Sequence, residues 1–297
     1  MGGPGGGDEV REMCSTALRH GYRLLDTASG YANEAEVGHA IRESGIPRAE
    51  IFVTTKLPNT AHHKVRESFD QSLKDLGCDY IDLYLLHWPQ AMLNAYSMAD
   101  PKGRVPLPNE SPTFIETWKE MEKLLSTGKV KTIGVSNFSI KTLSELLPHC
   151  TIIPAVNQVE LHPYLPQHNL KGFCNDKGIL LTAYSSLGQN SNVLYEGDST
   201  IKRIASDLKV TPAQILLSWA VQNGIVVVPK SANEDRMVTN ITLATIPEND
   251  MRIIDDIHKQ PGKHRSLVWS QETDEVFGWK YEWMGWDISK GGLVSDH

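Results

Sequence analysis

Several things are missing from this 297-residue chain, and each absence closes a class of function. No apolar run is long enough to cross a bilayer. The start, Met1 to Gly7, has no charged-then-apolar secretion pattern, and Gly6 stands where a myristoylation signal needs Ser or Thr. There is no basic excess: the formal charge is −7 at pH 7, which argues against a nucleic-acid footprint. Cysteine is sparse. Cys14, Cys78, Cys150 and Cys174 form no Cys-x-x-Cys pair, so free thiols in a reducing compartment are expected rather than a disulfide or zinc framework. No Gly-x-Gly-x-x-Gly follows any strand-like run. Asn109, Asn137 and Asn240 open Asn-x-Ser/Thr triplets, read as chance without a secretion route. A cytoplasmic monomer with no membrane or nucleic-acid partner is expected.

What is present is a repeating unit. Hydrophobic residues make up 40% of the chain and charged ones 22%, enough for a sizeable soluble core. Strand-like runs lie at Tyr22–Thr27, Ile51–Lys56, Ile81–His87, Lys131–Ser136, Ala155–Leu161, Ile179–Ser185 and Ile225–Pro229. Amphipathic helical segments lie between them, including Asn33–Ser44, His63–Leu76, Ser111–Ser126, Ser139–Leu147, Pro166–Lys177 and Pro212–Gln222. Runs rich in Val, Ile and Leu without polar alternation read as strands buried on both faces, hence a parallel sheet. Polar residues close nearly every run: Asp26, Lys56, His87, Ser136-Asn137, Gln158-Glu160, Tyr184-Ser185 and Lys230-Ser231. Only a closed barrel gathers all its strand ends at one mouth; an open sheet leaves most of them remote. The fold class expected is therefore α/β, a (β/α)8 TIM barrel in one domain, with the barrel over 8–260 and a tail over 261–297.

Two segments break the rhythm. Trp88–Pro112 is far longer than a usual βα loop. The tail holds four of the chain's seven tryptophans and reads either as packing on the barrel or as an aromatic lid.

The chemistry concentrates at three successive strand ends. A tyrosine alone holds its proton at pH 7, but a nearby ammonium favours the phenolate and makes the phenol a better acid. Lys56 is placed to supply that cation for Tyr31, with Asp26 as its counter-ion. His87 can hydrogen-bond a carbonyl oxygen from another side. A buried Asp–Lys pair or a lone His is ordinarily structural; the combination is more specific.

The segments Asp26-x4-Tyr31-x2-Glu34, Thr54-Thr-Lys56, Leu86-His87-Trp88-Pro89, Gly134-Val-Ser-Asn-Phe138, Asn157-Gln-Val-Glu160 and Val228-Pro-Lys-Ser231 together resemble the aldo-keto reductase family, from about Asp8 to Ile246. The resemblance implies reduction of aldehydes or ketones to alcohols by NADPH, reversible to NADP+, with sugars, polyols or small carbonyls as substrates. It implies Tyr31 as general acid, Lys56 and Asp26 as its tuning pair, His87 as the carbonyl-orienting group and Trp88 as a substrate wall. It further implies Ser136, Asn137 and Gln158 at the nicotinamide carboxamide, and Tyr184 stacked on its ring. Ser185 and Leu187 follow beside the pyrophosphate, where Ser186 replaces a common proline. Lys230, Ser231 and Arg236 would meet the adenosine 2′-phosphate, with Asn240 near the adenine. Two cations and a hydroxyl suit a phosphate better than a ribose diol.

One strand of the family's eight is not visible. The helix pattern Asp8–His20 is preceded by seven residues, five of them glycine and one proline, poor occupants of a central strand. The chain is therefore expected to lack the first barrel strand, as a shortened form of an active enzyme would. The competing function is a silent barrel acting as a binding or regulatory protein. A metal-dependent hydrolase lacks a clustered ligand set.

Overall fold

Burial on both faces makes strands of the apolar runs. In the computed structural model, which describes residues 7–93, 104–189, 191–269 and 273–295, all six residues of Ile81–Leu86 are buried, and so are Val53 to Leu57. A strand with no solvent face must be covered by helices, and the sequence supplies one after nearly every strand. The chain divides into two compact units, Met1–Val156 and Asn157–His297.

The first unit runs α1 (Gly7–Arg19), β1 (Leu24–Asp26), α2 (Glu34–Glu43), β2 (Phe52–Leu57), α3 (Val65–Leu76), β3 (Ile81–Leu86), α4 (Phe114–Leu124), β4 (Val130–Ser136) and α5 (Ile140–Leu146). Its strands are parallel neighbours in chain order, with Asp26 opposite Thr54, Lys56 opposite Leu85 and Leu85 opposite Gly134. The shared direction brings the ends of β1, β2 and β3 to one side. Capping boxes start two of the helices, Thr113 with Glu116 on α4 and Ser139 with Thr142 on α5, each satisfying otherwise orphaned amide groups. Helix α2 lies hard on the end of α3. A Cβ on Gly38 would stand 1.9 Å from the Leu76 carbonyl oxygen, and Arg42 Nη1 donates to that same oxygen at 2.6 Å.

At the opposite ends of these strands, Asp82 is a buried ionic hub. It accepts from Arg48 Nη2 at 2.7 Å, Lys131 Nζ at 2.8 Å and the Val53 amide at 3.0 Å. Both cations also flank the Tyr80 ring, each 4.1 Å from its centroid.

The second unit contains β5 (Val156–Glu160) from its second residue on, α6 (His168–Asp176), β6 (Leu180–Tyr184), α7 (Ser199–Leu208), α8 (Pro212–Gln222), β7 (Val226–Val227), α9 (Glu234–Ile241) and α10 (Glu248–Asp255). β6 and β7 are parallel, Ala183 opposite Val227. Helix α8 opens with a Thr211–Gln214 capping box and Pro212 in its first turn, and α7 with Asp198 accepting from Thr200 and Ile201. The tail forms a small antiparallel pair, β8 (Glu275–Val276) and β9 (Trp279–Lys280), then α11 (Tyr281–Met284). Val276, Trp279, Tyr281 and Met284 are buried while Trp269 and Phe277 stay half-exposed. Much of the aromatic tail is thus core.

All seven expected strands are present, the first and last shortened to three and two residues. Among the described residues no strand precedes α1; residues 1–6, on which the expected loss of a first strand also rests, lie outside them, as do 94–103 of the long segment after β3. No helix among the described residues is long and apolar enough to cross a membrane. The four cysteines are free thiols.

Candidate active site

Asp26 ends β1, and Thr27 continues alongside β2, its amide donating to the Thr54 carbonyl at 2.9 Å. A 3-10 turn over Ser29–Tyr31 then presents the tyrosine, and Ala32 takes the left-handed conformation (φ 53°) that lets the chain turn into α2. Lys56, on β2, is completely buried. Its ammonium donates to Asp26 Oδ1 at 2.5 Å and to the Thr27 carbonyl at 2.8 Å. The same Nζ lies 5.4 Å from the centroid of the Tyr31 ring. The imidazole of His87, just past β3, packs edge-on against that ring with centroids 5.7 Å apart. Four residues from three strand ends therefore form one cluster inside the first unit.

The electrostatics follow from burial. For Lys56, burial opposes the charged form, but Asp26 and then Tyr31 outweigh it, so its pKa rises and it stays an ammonium. For Tyr31, burial is the largest effect and raises the pKa, Lys56 opposes it, and Asp26 raises it further; the net lies above the ordinary 10.0. The ammonium thus acts in the direction the sequence implies, yet the resting phenol is a weaker acid than that reasoning alone gives. It is fully protonated at neutral pH. Burial and then the Lys56 charge hold His87 well below 6.5, so the imidazole is neutral at pH 7.

Ser136 and Asn137 follow at the end of β4, both buried. Asn137, held at φ 64°, donates its amide to the His87 carbonyl at 2.9 Å and to Ser136 Oγ at 3.1 Å. Trp88, next to His87 in the chain, is buried.

The remaining candidates belong to the second unit. Gln158 is buried on β5. Tyr184, half-exposed at the end of β6, accepts a hydrogen bond from Trp269 Nε1 at 3.4 Å. Ser185 is left-handed at φ 54°, and Ser186, where the family often has proline, donates to the Ala183 carbonyl at 3.2 Å. Leu187 is half-exposed. After β7, Lys230 and Arg236 are exposed and Ser231 half-exposed. Ser231 Oγ accepts from the Asn233 amide at 3.1 Å, and Asn233 Oδ1 caps the start of α9 through the Arg236 amide at 2.9 Å. Asn240 is buried on the same helix. Lys230 and Ser231 thus lie just before α9 and Arg236 in its first turn, which also holds Glu234 and Asp235; the two cations and the hydroxyl are a donor set of the type that fits a phosphate monoester. A cavity of about 400 Å³ in this unit, lined by Tyr164, Ser191, Val193, Lys263, Arg265 and Leu267 among others, is lined by none of these candidates.

Comparison with known proteins decides the family. The aldo/keto reductase family model matches residues 5–259. The chain belongs to the aldo/keto reductase family. Relatives include glycerol 2-dehydrogenase (NADP(+)) of Saccharomyces cerevisiae, 46% identical over 88% of this chain and 87% of that protein. Aldehyde reductase YPR1 of the same yeast is 43% identical over 84% of this chain and 83% of its own length. Among solved structures, an aldo/keto reductase from Brucella melitensis is 39% identical and matches with a TM-score of 0.73 over 84% of this chain and 90% of that one. The fold is accordingly the family's (β/α)8 barrel class, with seven of its parallel strands among the described residues.

Two aldo/keto reductase motif residues have structural surroundings that the sequence reading leaves unassigned. Glu34 is buried between β2 and α3. Glu160 is the anchor of the tail, its carboxylate accepting from Ser266 Oγ at 2.6 Å, the Leu267 amide at 2.7 Å and the Val268 amide at 3.1 Å, with His162 Nε2 at 2.9 Å. Neither carries a local signal, since Glu34 follows Asn33 and Glu160 follows Asn157 and Gln158 in polar stretches; only their burial, which requires fixed partners, sets them apart. Among the described residues no group of three or more His, Cys, Asp or Glu side chains could hold a metal ion.

Proposed function

We propose that this chain is an NADPH-dependent carbonyl reductase, converting aldehydes or ketones of the sugar, polyol or small-carbonyl class to alcohols. One observation carries the reading: a buried, charged Lys56 is clamped to Asp26 at 2.5 Å and lies over the Tyr31 ring, while a neutral His87 packs edge-on against that same ring. A structural ion pair has no need of a protonated phenol and an uncharged imidazole beside it.

NADPH, when bound, supplies the hydride to the carbonyl carbon. The protein's part is the oxygen. His87, neutral at pH 7, donates a hydrogen bond to the carbonyl oxygen without bringing a charge that would repel Lys56. As negative charge develops on that oxygen, the Tyr31 phenol gives up its proton to it. The phenolate left behind is stabilised by the adjacent Lys56 ammonium, which is the moment at which that cation matters. Asp26 keeps the lysine charged and aimed. A resting pKa above 10 keeps the acid loaded at neutral pH, and in the alcohol-oxidising direction the same tyrosine must first lose its proton, so that direction is favoured by alkaline pH. In the second unit, Lys230, Ser231 and Arg236 would hold the 2′-phosphate, Tyr184 would stack on the nicotinamide, Ser185 and Leu187 would flank the pyrophosphate and Asn240 would meet the adenine. Ser136, Asn137 and Gln158 would hold the carboxamide, and Trp88 would wall the substrate.

The testing experiment is a titration of protein fluorescence with NADPH and with NADH, followed by a carbonyl-dependent absorbance assay. Lys230→Ala combined with Arg236→Ala is expected to weaken NADPH binding at least tenfold and leave NADH within about twofold, since two charge-assisted phosphate contacts contribute ~1.5–3 kcal/mol each. Equal loss for both cofactors would remove the 2′-phosphate assignment. Tight NADPH binding with no turnover on any aldehyde would favour a silent binding protein instead.

A further inference from the structure

Three residues past Tyr31, the chain enters α2 with Glu34, and that side chain turns into the protein, leaving the residue 4% exposed. Its Oε1 accepts from Thr55 Oγ1 at 2.6 Å and its Oε2 from Ser72 Oγ at 3.2 Å. Thr55 immediately precedes Lys56 on β2. Side chains alternate along a strand, so Thr55 faces the helical layer while Lys56 faces Asp26 and Tyr31. One short segment of β2 therefore holds Glu34 on one face and the tyrosine's ammonium partner on the other.

The turn carrying Tyr31 needs such a hold. Its own bonds are two backbone contacts, Tyr31 amide to Ala28 carbonyl at 2.9 Å and Ala32 amide to Ser29 carbonyl at 3.1 Å. Ala32 sits at φ 53° and ψ 38°, a region a residue with a Cβ adopts only when its surroundings fix it. On the near side Thr27 Oγ1 donates to Asn33 Oδ1 at 2.7 Å. On the far side the clamp is Glu34. An acid in the first turn of a helix is favourable when exposed; a buried one gives up its hydration for two hydroxyl partners. Burial accordingly pushes the Glu34 pKa up, against the pull of Thr55 and Ser72.

We propose that Glu34 is a positioning residue for the proton donor, fixing the Tyr31 turn against the Lys56-bearing strand through Thr55 and against α3 through Ser72. The catalytic consequence rests on the reductase reading above; the mechanical one does not.

Two measurements separate them. Steady-state reduction by Glu34→Ala is expected to lose kcat roughly tenfold or more, the size of effect a slightly misplaced reacting group produces, with NADPH affinity unchanged. Glu34→Gln restores most of the rate, because its amide oxygen still accepts from Thr55. Thr55→Val, which removes that donor at constant shape, reproduces the loss and serves as the test if the alanine variant fails to fold. In parallel, amide hydrogen exchange across residues 27–33 is expected to quicken in Glu34→Ala and Thr55→Val and to return to the wild-type rate in Glu34→Gln. A kcat within about twofold of wild type in folded Glu34→Ala or Thr55→Val, or unchanged exchange in that segment, overturns the proposal. A wild-type protein without NADPH-dependent reduction would refute the reductase reading, and the exchange rates would still decide whether Glu34 holds the turn.

Discussion

Replacing His62 with glutamine should flatten the acid side of the stability curve by an amount that can be worked out in advance. His62 lies in the 3-10 segment between β2 and α3, is 2% exposed, and has one side-chain partner, the Thr117 hydroxyl at 3.2 Å from Nδ1. Burial first, then the neighbouring His63 charge, lower its pKa from 6.5 to about 3, with the Trp88 backbone opposing weakly. A histidine depressed in the folded state binds its proton more readily when unfolded, so its contribution is fully present above the unfolded value near 6.5. It is lost as pH falls below that value towards about 3. Linkage gives the size: between about pH 7 and about pH 5 the unfolded chain takes up most of one extra proton at this position, worth ~2 kcal/mol. Any folded value below about 4 gives nearly the same figure, because the imidazole is then still neutral at the acid end. The assay is urea unfolding of wild type and His62→Gln at both pH values. Absolute stabilities differ through the lost hydrogen bond, whereas the difference in their pH dependence isolates the titration. The variant should lose ~2 kcal/mol less than wild type on acidification. Parallel curves would mean that His62 titrates near its ordinary value and is not shut away from water.

Three further outcomes follow from buried hubs and close contacts. Asp82→Asn, which strips a 4%-exposed carboxylate from Arg48, Lys131 and the Val53 amide, should cost ~3 kcal/mol in urea unfolding at neutral pH. Burial raises the Asp82 pKa, but the Lys131, Val53 and Arg48 contacts outweigh it and the net is lowered. Its stabilisation is therefore present above the ordinary Asp range and lost as pH falls through the folded value, so the gap between wild type and variant should narrow in acid. Gly38→Ala, whose methyl would meet the Leu76 carbonyl at 1.9 Å, should lose ~3 kcal/mol, at the upper end for overpacking; a change under ~0.5 kcal/mol would show that α2 and α3 yield easily. Glu160→Ala, which releases Ser266, Leu267 and Val268, should open the tail to limited proteolysis beyond Arg265 at least tenfold faster, the population effect of losing ~1.5 kcal/mol locally.

How much of this is legible in the sequence depends on whether the physics is local. β2 and β3 are readable because burial on both faces leaves unbroken apolar runs, and the polar groups ending them mark where burial stops. The two flanking strands, β1 and β7, shrink against their expected lengths because only three and two residues keep ladder geometry. Helices α7, α9 and α10 are not among the expected segments. α9 and α10 are eight-residue helices of about two turns each, too short for a periodic pattern to stand out from the chain around them. Asp26, Tyr31, Lys56 and His87 are legible as a set because parallel strands must bring their ends together. The direction of the Tyr31 shift is not, since the burial that raises it comes from packing around the ring. Nor is the tail's anchor: Ser266 meets Glu160 from 106 positions away, a pairing that no local pattern encodes.

The central claim is that Tyr31 gives its proton to a carbonyl oxygen during NADPH-dependent reduction. Its most direct measurement is the loss of NADPH absorbance in the presence of an aldehyde, by wild type and by Tyr31→Phe, with cofactor affinity measured for both. Wild type should turn over, and the phenylalanine variant should bind NADPH equally well yet fall in kcat by ~10²–10⁴, the usual contribution of a positioned general acid. Turnover by folded Tyr31→Phe at the wild-type rate would contradict the account.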